Sequence, residues 1–426
     1  MSEHTASPSK PEGSRCPFSG KSFNPFVSTE PDALHPFLAQ ARREQPVFFS
    51  EALHSWVVTR YEDMYAILQD SRRFSSDVTE SLFSALHPEA RALLEEGGYR
   101  RTPLLSEDGA AHARSRHVLA RLFDKEAVAA MEPLIRAVTE GLVDGFIEDG
   151  QVDLVRHFTY PLPIRVIFSW LGLPLEELEQ FKHWSEALVR FFSSFPMTLE
   201  EQKACVHSLL AMQRRVAAFL SERAEHPRED GLTVLAQRLK ETTLDAQDLA
   251  SFVMLLITAG HETTSSLLAL CVRLLVERPG LWARLRAEPH LIERVVEEVL
   301  RLESPVTTLL RKTTEEVELG GVKVPAGARL MMWVPSGNRD EAHFTEPERF
   351  EPNRPNARQH LTFSKGAHVC LGAQLARLEA RVALEVLTRR LHGVRLLETP
   401  QAVPGAVRQY SRLLLAWEPV PERQAA

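Results

Sequence analysis

The 426-residue chain is 44% hydrophobic and 25% charged, the proportions of an ordinary globular protein with enough apolar material to enclose a large ligand. Its formal net charge of −7 provides no global basic field and argues against nucleic acid as a partner. The four cysteines, Cys16, Cys205, Cys271 and Cys370, include no C-x-x-C pair, which points to a reducing, cytoplasmic setting and against a disulfide framework, zinc or iron–sulfur ligation.

Residues 1–25 are rich in Ser, Pro and Glu and read as a flexible tail without a targeting segment or membrane anchor. No Gly-, Ser- or Pro-rich linker divides 26–426, so one domain is expected there. Strands are expected at 47–49 and 56–59, then a helix over 61–70. The span 79–97, with Leu82, Phe83, Leu86, Leu93 and Leu94, reads as a mobile lid or, equally, as a surface helix. Helices follow over 112–123, 126–149, 175–192 and 200–224, each with apolar residues three and four apart. The longest such pattern, 244–277, opens with Thr243 as its cap and has the composition of a core helix. Its apolar run 252–259 is too short to cross a bilayer. A helix over 291–303 precedes Pro305 and a strand over 307–313. A hairpin over 317–324 turns at Gly320-Gly321, and a strand at 329–333 and a helix over 372–391 complete the pattern. The expected fold class is mainly α, multi-helical with a small β region.

The core helix carries a defect. Ala259-Gly260-His261-Glu262-Thr263-Thr264 puts a glycine, at about 1 kcal/mol relative to alanine, a carboxylate and two hydroxyls where a buried helix should carry leucines. The small pair leaves room beside the helix, and an acid next to an alcohol suits proton delivery. The structural alternative is a threonine bonded back to a carbonyl of its own helix. His261 reads as a packing or surface residue rather than a ligand.

Near the C-terminus, Phe363-Ser364-Lys365-Gly366-Ala367-His368-Val369-Cys370-Leu371-Gly372 sets one cysteine between two glycines, with an aromatic residue seven positions upstream. Gly366 permits a bend with positive φ, Gly372 allows close approach of a flat ligand, and Phe363 can pack beside the sulfur. The apolar period of Leu371, Leu375, Leu378, Val382 and Val386 places Cys370 at a helix N-terminus, where a thiolate is expected over a thiol. The plain alternative is a buried cysteine in a glycine-bearing turn.

This segment resembles the cysteine loop of the cytochrome P-450 superfamily of haem-thiolate monooxygenases. The resemblance implies that fold, with haem b between the long central helix and the cysteine-loop helix. It makes Cys370 the axial iron ligand, which favours O–O cleavage. By the same resemblance His368, His112, Arg116 and Arg311 hold the haem propionates, Ala259 and Gly260 leave a groove for dioxygen and substrate, and Glu262 and Thr263 form the proton relay. Glu298, Arg301 and Arg349 form a structural charge network. Phe83, Phe191, Phe192, Phe195, Leu255, Thr307 and Leu310 bound the substrate pocket. The chain departs from the frequent pattern at Asp108-Gly109 and at Glu341, which bears on loop conformation rather than chemistry.

The implied activity is hydroxylation or epoxidation of a lipophilic small molecule, such as a terpenoid, steroid, fatty acid or polyketide, by a monomeric enzyme. Electrons come from a ferredoxin and its NAD(P)H-dependent reductase. Arg114, Arg121, Lys365, Arg377 and Arg381 are candidates for a basic face that receives such a donor. Three rivals are a hydrogen-peroxide-dependent peroxygenase, which would replace the Glu262–Thr263 pair, a non-catalytic haem sensor, which needs no relay, and a thiol hydrolase, which binds no haem.

Overall fold

The computed structural model describes residues 20–27, 31–78, 86–99, 103–192, 197–238 and 244–418. At its centre runs the 31-residue helix Ala246–Val276, with buried residues around its circumference, among them Leu249, Phe252, Ile257 and Leu268. An apolar helix of this kind is stable only inside a core. Asp245 caps it through a reciprocal pair of bonds, accepting from the Asp248 N–H at 2.8 Å while Asp248 accepts from the Asp245 N–H at 3.1 Å. Thr243, expected as the cap, lies outside the described residues.

Pro161–Leu171, Leu199–Glu225, Ile292–Glu303 and Ala373–Arg390 pack around this helix. The last three match their expected spans closely. Pro161–Leu171 was not expected, because Leu162, Ile164, Val166, Ile167 and Phe168 bury it almost all round and leave no amphipathic period. The single helix expected over 126–149 is instead Lys125–Ala130 and Glu132–Asp144. Pro133 lacks an N–H and clashes with the carbonyl four residues back, so the chain restarts at Met131.

The β region is a five-stranded sheet in the order Val47–Ser50, Ser55–Val58, Arg329–Trp333, Thr308–Thr313, Phe74–Ser75. Ser55–Val58 and Arg329–Trp333 are parallel, and the other pairs are antiparallel. One face packs on Tyr61, Met64, Ile67 and Phe344, and the other on Phe23, Phe37 and Phe48. Phe23, inside the span expected as a tail, is fully buried against Phe37 and Trp333, so the described segment 20–27 is docked on the core. The hairpin Val317–Leu319/Val322–Val324 turns at Gly320 and Gly321, with φ of 55° and 79°, the double positive φ that a two-residue turn requires. Of the expected lid, residues 79–85, including Phe83, lie outside the described residues. The remainder contains the helix Pro88–Glu96, docked on Leu199–Glu225 with Ala90 and Leu94 buried.

Candidate active site around Cys370

The cysteine loop is shaped by its own backbone. Ser364 and Gly366 both have positive φ, at 60° and 67°. A Cβ on Gly366 would lie 2.3 Å from the Leu68 carbonyl oxygen, so only glycine fits. The Cys370 N–H donates to the Phe363 carbonyl at 2.8 Å and closes the loop. Buried Asn338 fixes its base: the side chain accepts from the Leu361 N–H at 2.8 Å and donates to Ser304 and Thr362 at 2.7 and 3.0 Å. The Phe363 ring lies under the Arg377 guanidinium, 4.6 Å from its centroid.

Cys370 stands two residues before Gly372, which flanks the helix Ala373–Arg390. Its side chain is reachable by solvent although the surrounding protein is dense, as for a group lining an internal space. Burial pushes the thiol up, and the Gly372 N–H, Arg116 and Arg377 offset this only in part. The helix N-terminus therefore does not by itself make the expected thiolate. A coordinated metal ion would, since its charge deprotonates a bound thiol.

On the central helix, Leu255, Ala259 and Thr263 follow one another at intervals of four and share one face. Ala259 is exposed in the middle of this otherwise buried helix. The Thr263 hydroxyl donates to the Ala259 carbonyl at 2.7 Å, the bond of the structural alternative, yet it stays at the half-open face. Gly260 does not open the expected groove: its missing Cβ would lie 2.5 Å from Ile167 Cδ1, so the glycine admits the neighbouring helix. Glu262 is buried, accepts from Gln409 Nε2 at 2.6 Å and lies 3.2 Å from His261 Nε2. Burial raises its carboxyl, but the bonds from His261 and Gln409 and the charge of Lys182 hold it below the usual range. His261 is neither surface nor mere filler, since it is fully buried and bonded at both ring nitrogens.

Polar donors gather beside the cysteine loop. The rings of His112 and His368 lie 3.9 Å apart between centroids, and His112 Nε2 is buried without a hydrogen-bond partner among the described residues. Burial, with the charges of His368, Arg116 and Arg311, lowers His112 to about 4. Buried Arg311 donates to the Leu310 carbonyl at 2.7 Å. His368 Nε2 lies 3.1 Å from Ser76 Oγ and 3.5 Å from Asp108 Oδ1. Burial pushes the Asp108 carboxyl up, but hydrogen bonds from His368, Ser75 and Ser76 hold it well below the usual range. Gly109 takes φ +55°, a conformation proline cannot adopt, and Glu341 binds Arg42 at 3.0 Å, so each sequence departure has a local structural reason.

A flat dianionic porphyrin fits these residues on two observations. Buried Arg311, a cation bonded to the Leu310 carbonyl, and His112 Nε2, unbonded among the described residues, suit an anionic hydrogen-bond partner. Gly372, with an ordinary φ of −81°, would carry a Cβ that meets nothing within 4 Å, so neither backbone strain nor a close protein neighbour accounts for the glycine.

The charge network is corrected by the structure. Glu298 and Arg301 form a fully buried bidentate pair at 2.8 and 2.9 Å, but its second guanidinium is Arg354, 3.1 Å from Glu298. The Arg349 side chain is 62% exposed and pairs with Glu346 and Glu351. Only its carbonyl joins the network, accepting from Arg301 and Arg354. The sequence signal for Arg354 was a second arginine five residues after the first, with no means of ranking the two.

Among the expected pocket residues, Phe191 is buried in the apolar cluster against which Leu255 and Leu371 pack. The Thr307 hydroxyl donates to the Ala406 carbonyl at 2.9 Å. Leu310 packs instead on the Phe23 cluster across the sheet, because side chains alternate along a strand. The Phe192 side chain and Phe195 lie outside the described residues. In the expected basic face, Arg377 is paired with Glu297, and Arg381 with Glu132 and Glu385, while Arg114 and Arg121 are exposed.

The family model described as cytochrome P450 matches residues 48–392. Nocardicin C N-oxygenase of Nocardia uniformis subsp. tsuyamanensis is 36% identical over 385 residues, covering 87% of this chain and 91% of that protein. Mycinamicin IV hydroxylase/epoxidase of Micromonospora griseorubida is 36% identical over 360 residues, covering 83% and 85%. The crystal structure of the Tepidiphilus thermophilus P450 heme domain superposes with a TM-score of 0.86 at 33% identity, covering 95% of this chain and 99% of that one.

Proposed function

Because the chain belongs to the cytochrome P450 family of haem-thiolate monooxygenases, we propose that its site around Cys370 hydroxylates or epoxidises a lipophilic secondary metabolite. Relatives named as an N-oxygenase of nocardicin C and a hydroxylase/epoxidase of mycinamicin IV support that reaction class. When bound, haem supplies the oxygen-activating chemistry, with electrons from a ferredoxin and its NAD(P)H-dependent reductase. Cys370 would be the sulfur ligand, Arg116 and Arg311 would supply positive charge to the propionates, and His112 and His368 would offer ring nitrogens to them as hydrogen-bond partners. Ala259 keeps one face of the central helix open, and Leu255 on the same face keeps it apolar, which disfavours bulk water there. Thr263 presents its hydroxyl at that face, and Glu262, the next residue back, brings protons to it.

The observation that carries this reading is exposed Cys370 within a closed loop beside buried His112 Nε2, which has no hydrogen-bond partner among the described residues. Reduced protein under carbon monoxide is expected to show the strongly red-shifted thiolate band, and Cys370→Ser to lose it. Colourless protein, or a Cys370→Ser variant with the native band, refutes the assignment.

A further inference from the structure

We propose that a polar cavity along the central helix beyond Glu262 is the inlet through which solvent protons reach that carboxylate, and that His261, tied to Tyr160, is the positioning residue that keeps Glu262 turned toward it. This inference rests on the reading of Glu262 as proton carrier. The cavity measures about 160 Å³ and is lined by Thr159, Tyr160, Glu186, Glu262, Ser265 and Gln409, among others, which gives room and polar partners for several waters. Glu262, Ser265, Ser266 and Ala269 all line it, a three-, four- and seven-residue spacing that marks one stripe of the helix. Ser265 in that stripe bonds Thr159 Oγ1 at 3.4 Å, and Ser266 donates to the Arg408 carbonyl, so the wall of the cavity beside Glu262 is built of hydroxyls held in place by protein partners.

His261 supplies the hold. Its Nδ1 lies 2.7 Å from the Ile257 carbonyl oxygen, which can only accept, so Nδ1 carries a proton and the ring is fixed with Nε2 turned to Tyr160 and Glu262. Nε2 is 3.0 Å from the Tyr160 hydroxyl and 3.2 Å from Glu262 Oε1. His261 thus stands against one carboxylate oxygen, and Gln409 Nε2 donates to the other at 2.6 Å. A proton passed from cavity water to Glu262, and replaced from solvent, removes the carboxylate charge that these partners and Lys182 favour and frees the side chain to turn toward Thr263. The charged groups facing this site come from the helix Leu178–Phe192: Glu186 at the cavity wall, and Lys182, 4.7 Å from the Tyr160 ring centroid and ion-paired with Glu179 at 3.9 Å.

The test needs no substrate. With NADPH, a surrogate ferredoxin and its reductase, the haem-loaded enzyme reduces oxygen either to peroxide, with two electrons and two protons, or to two waters, with four of each. His261→Gln and Tyr160→Phe are expected to keep the reduced carbon monoxide spectrum while the peroxide share of electrons rises at least twofold. Ser265→Leu, which fills the cavity, is expected to double the solvent isotope effect on NADPH oxidation. A crystal structure of the loaded wild type is expected to hold ordered water within hydrogen-bond distance of Glu262. A dry cavity, or wild-type peroxide yields in both His261→Gln and Tyr160→Phe, overturns the inlet and leaves the haem-thiolate reading standing. A merely structural His261 would lower stability and leave the peroxide share unmoved. Absence of the thiolate band in wild type would remove the underlying reading instead.

Discussion

Arg354→Met is the sharpest test of the charge network. Arg354 donates to the fully buried Glu298 at 3.1 Å and to the carbonyls of Thr345, Glu346 and Arg349 at 2.5, 3.2 and 2.9 Å. Methionine retains much of the apolar stem but none of the donors. It would strip the Thr345 carbonyl and part of a buried carboxylate of this donor, while the Arg349 carbonyl keeps Arg301 and the Glu346 carbonyl keeps the Arg349 N–H. Hydrogen bonds to charged groups contribute roughly 1.5–3 kcal/mol each, and breaking a buried pair typically costs about 3–5 kcal/mol. Arg349→Met removes only exposed ion pairs with Glu346 and Glu351, worth at most about 1 kcal/mol. Urea denaturation followed by circular dichroism should therefore give a loss of ~4 kcal/mol for the first variant and under ~1 kcal/mol for the second. Equal losses, or a larger one for Arg349→Met, would refute the assignment of the inward guanidinium.

Gly366→Ala must place a methyl against the Leu68 carbonyl at φ +67° and should lose at least about 2 kcal/mol of stability, whereas Gly372→Ala meets no protein atom within 4 Å and should leave apoprotein stability unchanged while weakening haem binding; thermal melts and haem titration separate the two. Glu379 is buried and raised from 4.5 to about 8 by burial. The native state thus keeps a proton that the unfolded state releases, so the group favours folding most at low pH and that advantage is lost as pH rises through about 8. Glu379→Gln, neutral at every pH, should gain roughly 2–3 kcal/mol relative to wild type between pH 6 and 8, and a flat difference in denaturation experiments would contradict the shift. His112→Leu should lower haem affinity at least tenfold in transfer to apomyoglobin with little change in apoprotein stability, because Nε2 has no hydrogen-bond partner to lose among the described residues.

Local chemistry made much of this protein legible from its residues. The cysteine loop needed glycine at 366 for a bend that only positive φ allows, and Gly320-Gly321 determined the hairpin by the same rule. Amphipathic helices such as Leu199–Glu225 and Ile292–Glu303 showed their buried faces as periodicity. Pro161–Leu171 did not, since a helix buried almost all round has no polar face to set its phase.

Tertiary structure decided what depends on which of two similar neighbours turns inward. Arg354 rather than Arg349 completes the Glu298–Arg301 pair because the chain folds back and buries only one of the two side chains. Leu310 packs away from its alternating neighbours, and Gly260 serves the approach of Ile167. The protonation balance at Cys370 and the bonds of His261 are likewise sums over groups distant in sequence, including Arg116, Arg377, Tyr160 and Gln409. Backbone strain and periodicity are properties of a segment, while burial and charge are properties of its surroundings, and those exist only once the chain has folded.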